Sequence, residues 1–352
     1  MNFNISLMEM KAAVLYKPYD IRLEEVETPR IRADQVLVRV RAVGICGSDV
    51  HYYRTGRAGM HVVKEPLILG HECSGEIAKI GDNVEEFKLG DRVVIEPGFP
   101  CRRCFYCKSG RYNLCENMQF YGTPPINGAF CEYVAADADF IYKMPENLTF
   151  EEGSMIEPLS VGIHATRRGR ITAEDTVTIL GAGPIGLLAL QAVRARGVTT
   201  VYVTDIRDYL LEHAKRLGAS ETINARREDP VKRIMELTDG KGTDVVIEAV
   251  GSVETGRQTF EIVKRGGRIV IIGVFPKTEF AVRMTDFVDK ELTVYGVFRY
   301  ANTYPTALKL VSAGKVELKS LITHVFTLNE IQKAMEVAEK KIGNPVKVIV
   351  KP

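Results

Sequence analysis

The chain has 352 residues, with 47 basic and 45 acidic side chains and a formal net charge of +2. This length exceeds what one ordinary hydrophobic core supports, so we expect two domains. The balanced charge argues against a broad basic face for nucleic acid or an anionic membrane. No apolar run approaches the roughly 20 residues of a transmembrane helix, and the N-terminus lacks a signal-peptide core. We therefore expect a cytoplasmic protein that acts on small molecules, with a few unstructured residues before a first strand at Lys11.

Candidate metal ligands lie early in the chain, in the segments VGICGSDVHYY and LGHE. Cys46 offers a thiolate, His71 an imidazole and Glu72 a carboxylate, which are all ligands of zinc. Glu157, in IEPLSVGIH, is expected to complete or expand the coordination sphere. Few fixed protein ligands leave a position for substrate, which is typical of a catalytic site. The alternative is that Cys46 is a small core residue and His71 a buried histidine with a hydrogen-bond partner.

Four of the seven cysteines form a cluster, C-x2-C-x2-C-x7-C, at Cys101, Cys104, Cys107 and Cys115. Two-residue gaps let successive sulfurs converge on one tetrahedral ion, and neighbouring Arg and Lys side chains help to stabilise thiolates. The spacing predicts a closed structural zinc site. An iron–sulfur cluster is the rival interpretation, but the ferredoxin motif has a shorter last gap followed by proline. Glu116 follows here. Cys73 and Cys131, in apolar segments, are expected to be buried thiols.

The first 160 residues alternate β-rich runs with glycine and proline, as in VLVRVRAVG, SGEIAKIG, DRVVIEPG, AFCEYVAA and FIYKMP. These runs predict a β-rich domain built as a partly open barrel. From about Gly162 strands alternate with helical patterns, which is typical of βαβ units and a parallel sheet. We therefore predict an α/β protein with a β-rich catalytic domain over residues 1–160 and a nucleotide-binding domain over 161–298. Residues 299–352 are predicted to return to the first domain.

The segment TVTILGAGPIGLLALQAVRARG reads as a strand, a glycine turn and an amphipathic helix. Gly181 permits the tight turn, Gly183 lets the backbone approach a pyrophosphate, and Gly186 allows close helix packing. A second strand, VTTVYVTD, ends in Asp205, where an acid binds the adenosine ribose hydroxyls. The acid favours NAD over NADP, although the nearby Arg207 can accommodate a 2′-phosphate. A plain loop and a solvated Asp205 are the alternative.

Further strands are predicted in TDVVIEAVG and GRIVIIGVF, with a turn at Gly266 and Gly267 before the second of them. The tail reads as a helix in ANTYPTALKLVSAGKV, a strand in ITHVFTL, a helix in IQKAMEVAEKK and a closing strand in VKVIVKP. Apolar residues at helical spacing in IQKAMEVAEKK predict core packing rather than a partner site.

Taken together, these motifs resemble the zinc-dependent medium-chain dehydrogenases and, within them, the sorbitol or polyol dehydrogenases. The resemblance covers nearly the whole chain and rests on blocks in the same order: GICGSDVHYY, LGHECSGEI, GDRVVIEPG, GRYNLC, TPPINGAF, IEPLSVGIHA, GAGPIG and GVFRYANTYP. The fold it implies is a GroES-like β-rich catalytic domain with a Rossmann domain. It also implies a homo-tetramer.

The resemblance implies a role for each matching residue. It places the catalytic zinc on Cys46, His71 and Glu72, with Glu157 binding the metal's water or the substrate. The polyol-contacting positions match Tyr52, Arg299 and Tyr300. The positions lining NAD match Asp205, Ile185, the segment Ile272, Gly273, Val274, and the segment Val297, Phe298, Arg299. An arginine that some members carry five residues after the ribose acid is Leu210 here, so we expect Arg207 to take over adenine-side contacts.

The implied reaction is reversible oxidation of a polyol to the ketose with hydride transfer to NAD, using one catalytic and one structural zinc. Ser48 and His51, shortly after Cys46, are expected to relay the proton of the substrate hydroxyl to solvent. A loop-capping serine and a surface histidine are the alternative. Other enzymatic readings are a zinc dehydrogenase for threonine, another vicinal diol or a secondary alcohol. The non-enzymatic reading is a regulatory protein that binds NAD(H) and zinc without turnover.

Overall fold

A computed structural model describes residues 9–275 and 279–352. The expectation of unstructured residues before Lys11 concerns residues 1–8, which lie outside the described part, and residues 9 and 10, which are already in the first strand. The chain divides into two compact units. The N-terminal unit comprises Met1–Glu157, Tyr304–Leu308 and Leu318–Pro352, and the central unit comprises Pro158–Thr303 and Lys309–Glu317. No helix within the described ranges has both the length and the apolar character needed to cross a bilayer.

The first part of the N-terminal unit is dominated by strands. They are β1 (Glu9–Lys17), β2 (Asp20–Glu27), β3 (Gln35–Gly44), β4 (Arg57–Ala58), β5 (His61–Val62), β6 (Leu67–Ile68), β7 (Glu72–Ile80), β8 (Arg92–Ile95), β9 (Gly98–Phe99), β10 (Gln119–Phe120), β11 (Tyr133–Asp137) and β12 (Ile141–Lys143). The helices are α1 (Gly47–Thr55), α2 (Phe105–Lys108) and α3 (Phe150–Ser154), followed by α4 (Ile156–Arg168), which continues into the central unit.

The central unit alternates strands and helices. Its strands are β13 (Thr176–Leu180), β14 (Thr200–Asp205), β15 (Glu221–Asn224), β16 (Thr243–Glu248), β17 (Val263–Ile271) and β18 (Thr293–Gly296). Its helices after α4 are α5 (Pro184–Ala195), α6 (Asp208–Arg216), α7 (Pro230–Leu237), α8 (Val253–Ile262) and α9 (Met284–Asp289). The strands read as nearly continuous apolar runs because a parallel sheet covered by helices is buried on both faces.

The six strands of the central unit form one sheet in the order β15-β14-β13-β16-β17-β18. Every neighbouring pair is parallel. This is the doubly wound order. The direction in which successive strands are added to the sheet reverses between the first and fourth strands of the unit, β13 and β16. Ligands of such sheets bind outside the carboxyl ends of the strands at that reversal. The glycine turn after β13 lies at this position.

One sequence-based detail of this sheet is wrong. Gly266 and Gly267 were expected to form a turn before a strand, but α8 ends at Ile262 and β17 begins at Val263. The two glycines therefore lie inside β17, at an irregularity in its pairing with β16. Gly266 has a φ of 69°, which an L side chain rarely adopts.

The chain then passes through α10 (Tyr304–Ser312), β19 (Ile322–Thr327), α11 (Ile331–Lys340) and β20 (Lys347–Lys351). β19 and β20 join the large sheet of the N-terminal unit, whose order is β12-β8-β7-β3-β20-β19, with β11 also paired to β3. The closing strand β20 places Ile349 opposite Gly44, and β7 places Glu72 opposite the same residue. The end of β3 is therefore where the first and last parts of the chain meet.

Candidate active site

Cys46, His71 and Glu72 come together at the end of β3. Cys46 is the N-cap residue of α1, and Glu72 opens β7 directly after His71. Because β3 and β7 are antiparallel neighbours, the end of one lies beside the start of the other. One ligand atom from each residue lies within 4.8 Å of the other two. A pattern of separated residues in the sequence is thus one cluster in the fold.

The cluster fits a zinc ion by the chemistry of its donors. Thiolate, imidazole and carboxylate are all zinc ligands, and three protein ligands leave a fourth position open. His71 and Glu72 are 7% and 1% exposed, so their polar atoms are withdrawn from bulk water. At Gly44 a Cβ would lie 2.1 Å from Oε2 of Glu72, so the missing side chain makes room for that carboxylate. We conclude that Cys46, His71 and Glu72 are able to hold the metal.

Asp49, which the sequence analysis did not single out, lies next to two of these residues, Cys46 and His71. It is fully buried, and its carboxylate accepts hydrogen bonds from the backbone N–H of Cys46 (2.9 Å) and of Gly70 (3.1 Å). Its Oδ1 is 3.7 Å from Nδ1 of His71. Outer carboxylates of this kind orient ligating histidines. The sequence signal that could have identified Asp49 is its position three residues after Cys46, where an acidic side chain caps the start of a helix.

Lys347 is a second residue that sequence analysis missed. This lysine, 3% exposed on β20, forms an ion pair with Oε2 of Glu72. Burial favours the neutral amine, but the charges of Glu72 and Cys46 outweigh it and raise the pKa of Lys347 above its usual value. A buried cation therefore offsets the acidic ligand set. The available signal was a lysine placed between the apolar residues of a buried closing strand.

Glu157 lies near this cluster without being one of the three converging ligands. It is 6% exposed at the start of α4. Burial lowers the pKa of His71, but the charges of Asp49, Cys46 and Glu157 more than compensate and raise it to about 10. The structure therefore places Glu157 within electrostatic reach of His71. Its predicted part in metal or substrate binding stays a prediction.

Ser48, His51 and Tyr52 lie on α1, which begins at the Cys46 cap. Their spacing of three and four residues places them on one face of the helix. Ser48 and His51 are partly exposed, whereas Tyr52 is only 3% exposed. Burial, with a smaller contribution from Arg54, lowers the pKa of His51, so this imidazole is neutral near pH 7 and able to accept a proton.

The four clustered cysteines also converge, with their Sγ atoms within 4.8 Å of one another. The backbone N–H of Cys101 donates to Sγ of Cys115 (3.2 Å), and that of Cys104 donates to Sγ of Cys101 (3.4 Å). The N–H groups of Arg103 and Cys104 lower the pKa of Cys101 to about 6. Such donors stabilise the thiolate of Cys101, whereas burial raises the pKa of Cys107 to about 12 in the absence of a metal. Four cysteine sulfurs form a closed tetrahedral set for zinc.

A buried carboxyl lies next to this cysteine lobe. Tyr112, between the third and fourth cysteines, donates its hydroxyl to Oε1 of Glu96 at 2.6 Å, and Tyr142 donates to Oε2 at 3.1 Å. Glu96 is only 1% exposed, and its burial raises its pKa to about 7 despite the two donors. Glu96 thus fastens the lobe to β8 and β12.

The two remaining cysteines are buried, as expected. Cys73 is 2% exposed and Cys131 is 1% exposed. Burial raises the pKa of both thiols, that of Cys131 to about 12. Such thiols stay protonated and unreactive near neutral pH.

In the central unit, the glycine turn has the form that a dinucleotide needs. Gly181 has a φ of 101°, and a Cβ at Gly186 would lie 1.8 Å from the carbonyl oxygen of Gly181. A Cβ at Gly183, in contrast, would meet no atom within 4 Å. Gly183 is the N-cap of α5 and provides no side-chain cap, so the first N–H groups of the helix are available to an anion. The turn therefore fits a pyrophosphate.

Asp205 ends β14 beside this turn, and Arg207 contacts it directly. Oδ2 of Asp205 accepts the N–H of Ala182 at 2.9 Å, which ties the acid to the glycine turn. The guanidinium of Arg207 donates to Oδ1 at 3.0 Å and to Oδ2 at 3.3 Å. This pairing reduces the repulsion that the acid exerts on a 2′-phosphate. Arg207 is therefore a neighbour of Asp205, the predicted ribose-binding acid, as the sequence suggested.

The other predicted cofactor positions follow strands of the same sheet. Ile185 is in the first turn of α5, the segment 272–274 follows β17, and the segment 297–299 follows β18. Parallel strands end at one edge of a sheet, so these segments share the edge of the glycine turn. Arg299 adopts a φ of 52°, and its guanidinium lies 4.9 Å from the ring centre of Phe298. Tyr300 is 3% exposed. Their substrate contacts stay predictions.

Comparison with known proteins agrees with this architecture. Residues 32–146 match the alcohol dehydrogenase GroES-like domain, and residues 184–313 match the zinc-binding dehydrogenase domain. The chain is 45% identical over 343 residues to the sorbitol dehydrogenase of Bacillus subtilis, covering 97% of both chains. The predicted GroES-like and Rossmann fold class is confirmed.

Two solved structures are similar over nearly their whole length. An oxidoreductase/dehydrogenase of unknown specificity from Escherichia coli has a TM-score of 0.93 and 38% identity, with 98% of this chain and 99% of that chain covered. The 2R,3R-butanediol dehydrogenase of Bacillus subtilis has a TM-score of 0.89 and 35% identity, with 97% and 99% covered. The chain accordingly belongs to the zinc-dependent medium-chain dehydrogenases, in the branch that contains the sorbitol dehydrogenases.

Proposed function

We propose that the protein oxidises a polyol such as sorbitol or xylitol to the ketose, reversibly, and passes the hydride to NAD. The observation that carries this proposal is the convergence of Cys46, His71 and Glu72, whose ligand atoms lie within 4.8 Å of one another. It occurs in a chain that also has a glycine turn before α5 and near full-length similarity to a sorbitol dehydrogenase.

In this mechanism Cys46, His71 and Glu72 hold the catalytic zinc, and Glu157 assists it or contacts the substrate. A zinc ion bound there acts as a Lewis acid that lowers the pKa of a substrate hydroxyl. Asp49 keeps His71 oriented through its buried carboxylate. Lys347 holds the carboxylate of Glu72 through their ion pair.

Proton removal is assigned to Ser48 and His51 on α1. Ser48 and His51 lie on one face of this helix, and His51 is neutral near pH 7 because burial lowers its pKa. The proton of the substrate hydroxyl would pass through Ser48 and the ribose to the neutral imidazole of His51, which would release it to solvent. The direction reverses when a ketose is reduced.

The cofactor site is assigned to the edge of the central sheet. Gly183 and the N-terminus of α5 would hold the pyrophosphate of NAD, and Asp205 would bind the ribose hydroxyls. The segments 272–274 and 297–299 would line NAD, as the family resemblance implies. NAD is the proposed cofactor because an acid at this position disfavours a 2′-phosphate. Arg207 pairs with Asp205 and sets how strong the preference for NAD over NADP is.

Substrate recognition is assigned to Tyr52, Glu157, Arg299 and Tyr300, which offer hydrogen bonds to several hydroxyl groups. An enzyme that hydrogen-bonds several hydroxyls of its substrate discriminates against an analogue that lacks them, by factors of roughly 10⁴ in kcat/KM. The second candidate substrate is a small vicinal diol, which the similarity to 2R,3R-butanediol dehydrogenase favours.

The remaining assignments are proposals of the same kind. Cys101, Cys104, Cys107 and Cys115 hold a structural zinc, which brings the expected metal content to two ions per chain. The domain boundaries at 160 and 298, the homo-tetramer and the cytoplasmic location stay predictions.

A substrate panel tests the proposal. Purified protein is mixed with NAD and sorbitol, xylitol, 2,3-butanediol, threonine or 2-butanol, and NADH formation is followed by absorbance. We expect the polyols to give the highest kcat/KM. Highest activity with 2,3-butanediol would select the diol function, and NADH binding without turnover on any alcohol would favour a regulatory protein.

Arg299 is the sharpest probe of polyol binding. We expect Arg299→Ala to lower kcat/KM for sorbitol and xylitol strongly and to change that for 2-butanol little. An equal fall for all three would mean that Arg299 supports the fold or the nicotinamide side, and the polyol contact would be withdrawn.

A further inference from the structure

Glu248 is a buried acid at the point where the central sheet reverses its strand order. It is the last residue of β16, it is 0% exposed, and it lies opposite Leu180, the last residue of β13. The glycine turn begins at the next residue after Leu180. Glu248 therefore lies directly beside the proposed pyrophosphate turn, although no motif in the sequence drew attention to it.

The side chain and the main chain of Glu248 fix two different loops. Oε1 accepts the backbone N–H of Val250 at 3.0 Å and of Gly251 at 2.8 Å. It also accepts the hydroxyl of Thr255, on α8, at 2.7 Å. The main-chain oxygen of Glu248 accepts the N–H of Ile272 at 2.9 Å and of Gly273 at 3.1 Å. One residue thus holds the loop 249–251 and the predicted cofactor segment 272–274.

The backbone around this carboxylate is packed too closely for side chains. A Cβ at Gly273 would lie 2.3 Å from Oε2 of Glu248, and one at Gly251 would lie 2.4 Å from the carbonyl oxygen of Val274. A Cβ at Gly181 would lie 2.6 Å from Cγ2 of Val250. The glycine turn and both loops therefore touch one another at glycines, around the side chain of Glu248.

The buried carboxyl group of Glu248 lowers the free energy of unfolding of the protein. Oε2 of Glu248 has no hydrogen-bond partner among the described protein atoms. Burying a carboxylate with one unpaired oxygen is unfavourable compared with a neutral side chain of the same shape. Such local cost is typical of functional sites, where the backbone shape matters more than the free energy of folding.

We propose that Glu248 is a positioning residue of the cofactor site, which holds the loops 249–251 and 272–274 in the shape that receives the nicotinamide dinucleotide. This inference rests on the proposed NAD function. Glu248 acts through the backbone of the two loops.

The test compares Glu248→Ala, Glu248→Gln and Thr255→Val with a matched control, Asp244→Asn. Asp244 is on the same strand near its other end, where Oδ2 accepts the N–H of Thr176 at 2.9 Å and the carboxylate pairs with Lys264. For each protein the Kd of NADH is measured by fluorescence titration, thermal unfolding is recorded, and KM for NAD and kcat are determined with sorbitol.

We expect Glu248→Ala to raise the Kd of NADH about tenfold or more, because two backbone N–H groups lose their acceptor. Glu248→Gln retains one acceptor oxygen, so we expect it to raise the Kd of NADH less than Glu248→Ala does. Thr255→Val removes one hydrogen bond and is expected to raise the Kd of NADH about threefold. KM for NAD should rise more than kcat falls. Asp244→Asn should lower the melting temperature but leave the Kd of NADH unchanged.

The proposal is overturned if the folded Glu248 variants and Thr255→Val bind NADH as tightly as wild type. It is also overturned if Asp244→Asn and the Glu248 variants lose the same amount of stability and Asp244→Asn weakens NADH binding as much as they do. If Glu248→Ala does not fold, Glu248→Gln and Thr255→Val decide the question. A wild-type protein that binds no NADH would refute the proposed function as well, whereas normal wild-type binding with unaffected variants refutes only the role of Glu248.

Discussion

An added methyl group is expected to weaken cofactor binding at Gly183 and to lower stability at Gly186. Gly183 has φ −65° and ψ 179°, a conformation that alanine adopts freely, and a Cβ there would meet no atom within 4 Å. Gly183→Ala should therefore change the free energy of unfolding by less than about 1 kcal/mol. If the open space is the pyrophosphate site, the methyl group should weaken NADH binding about tenfold or more.

Gly186→Ala is the matched comparison, three residues along the same turn. Its Cβ would lie 1.8 Å from the carbonyl oxygen and 2.9 Å from the carbonyl carbon of Gly181. These are backbone atoms, so α5 must move away from the turn. Overpacking of this kind costs about 1–3 kcal/mol or more, and we expect a clear loss of stability in the free protein.

The assay combines denaturant unfolding of both variants without cofactor and NADH titration followed by fluorescence. Gly183→Ala is expected to unfold like wild type and to bind NADH weakly, whereas Gly186→Ala is expected to unfold at a lower denaturant concentration. Tight NADH binding by Gly183→Ala would refute the assignment of this turn to the pyrophosphate. Normal stability of Gly186→Ala would refute the packing argument.

Three further predictions concern metal, cofactor and pH. Elemental analysis should find two zinc ions in wild type, and Cys104→Ser should lose one of them and melt at a lower temperature, because structural metal binding is coupled to folding; unchanged melting would contradict this. NAD should give a much higher kcat/KM than NADP, and Asp205→Ala should narrow the difference; equal values in wild type would instead implicate Arg207, which pairs with this acid. The pKa of Glu96 is about 7 in the folded protein against about 4.3 in an unfolded chain. Between these pH values the folded state binds more protons than the unfolded state, so the free energy of unfolding should fall as the pH rises from about 4.3 to about 7. Glu96→Gln should remove that fall, and an unchanged pH profile of its melting temperature would exclude this explanation.

The convergence of the cysteines and the conformation of the glycine turn were predictable because they are local in sequence. Two-residue gaps bring the sulfurs of Cys101, Cys104 and Cys107 close together, a spacing suited to one metal ion. The glycine turn joins a strand to the helix that follows it, so its conformation depends on adjacent residues. The doubly wound sheet followed from alternating strand and helix patterns in the same way.

The supports of the site were not predictable, because they depend on contacts between distant segments. Lys347 reaches Glu72 only because β20 pairs with β3 at the other end of the chain. Asp49 was visible as a helix cap, but its contact with Gly70 requires the fold. Glu248 carries no motif at all, and its importance follows from the loops that converge on it.

One correction to the sequence analysis has a physical reason. Gly266 and Gly267 were read as a turn because glycine pairs usually end elements, yet here they form an irregularity within β17. The sequence placed Arg207 two residues after Asp205, but only the structure shows that its guanidinium folds back onto this acid. Side-chain pairs of this kind leave no periodic signal in a sequence.

The initial rate of NADH formation from sorbitol and NAD, compared between wild type and Cys46→Ser at equal concentrations of folded protein, tests the central claim most directly. The account predicts steady NADH formation by wild type and none above background by Cys46→Ser, because the replacement removes the thiolate from the cluster with His71 and Glu72. A normal rate from Cys46→Ser would contradict the assignment of this cluster as the catalytic zinc site.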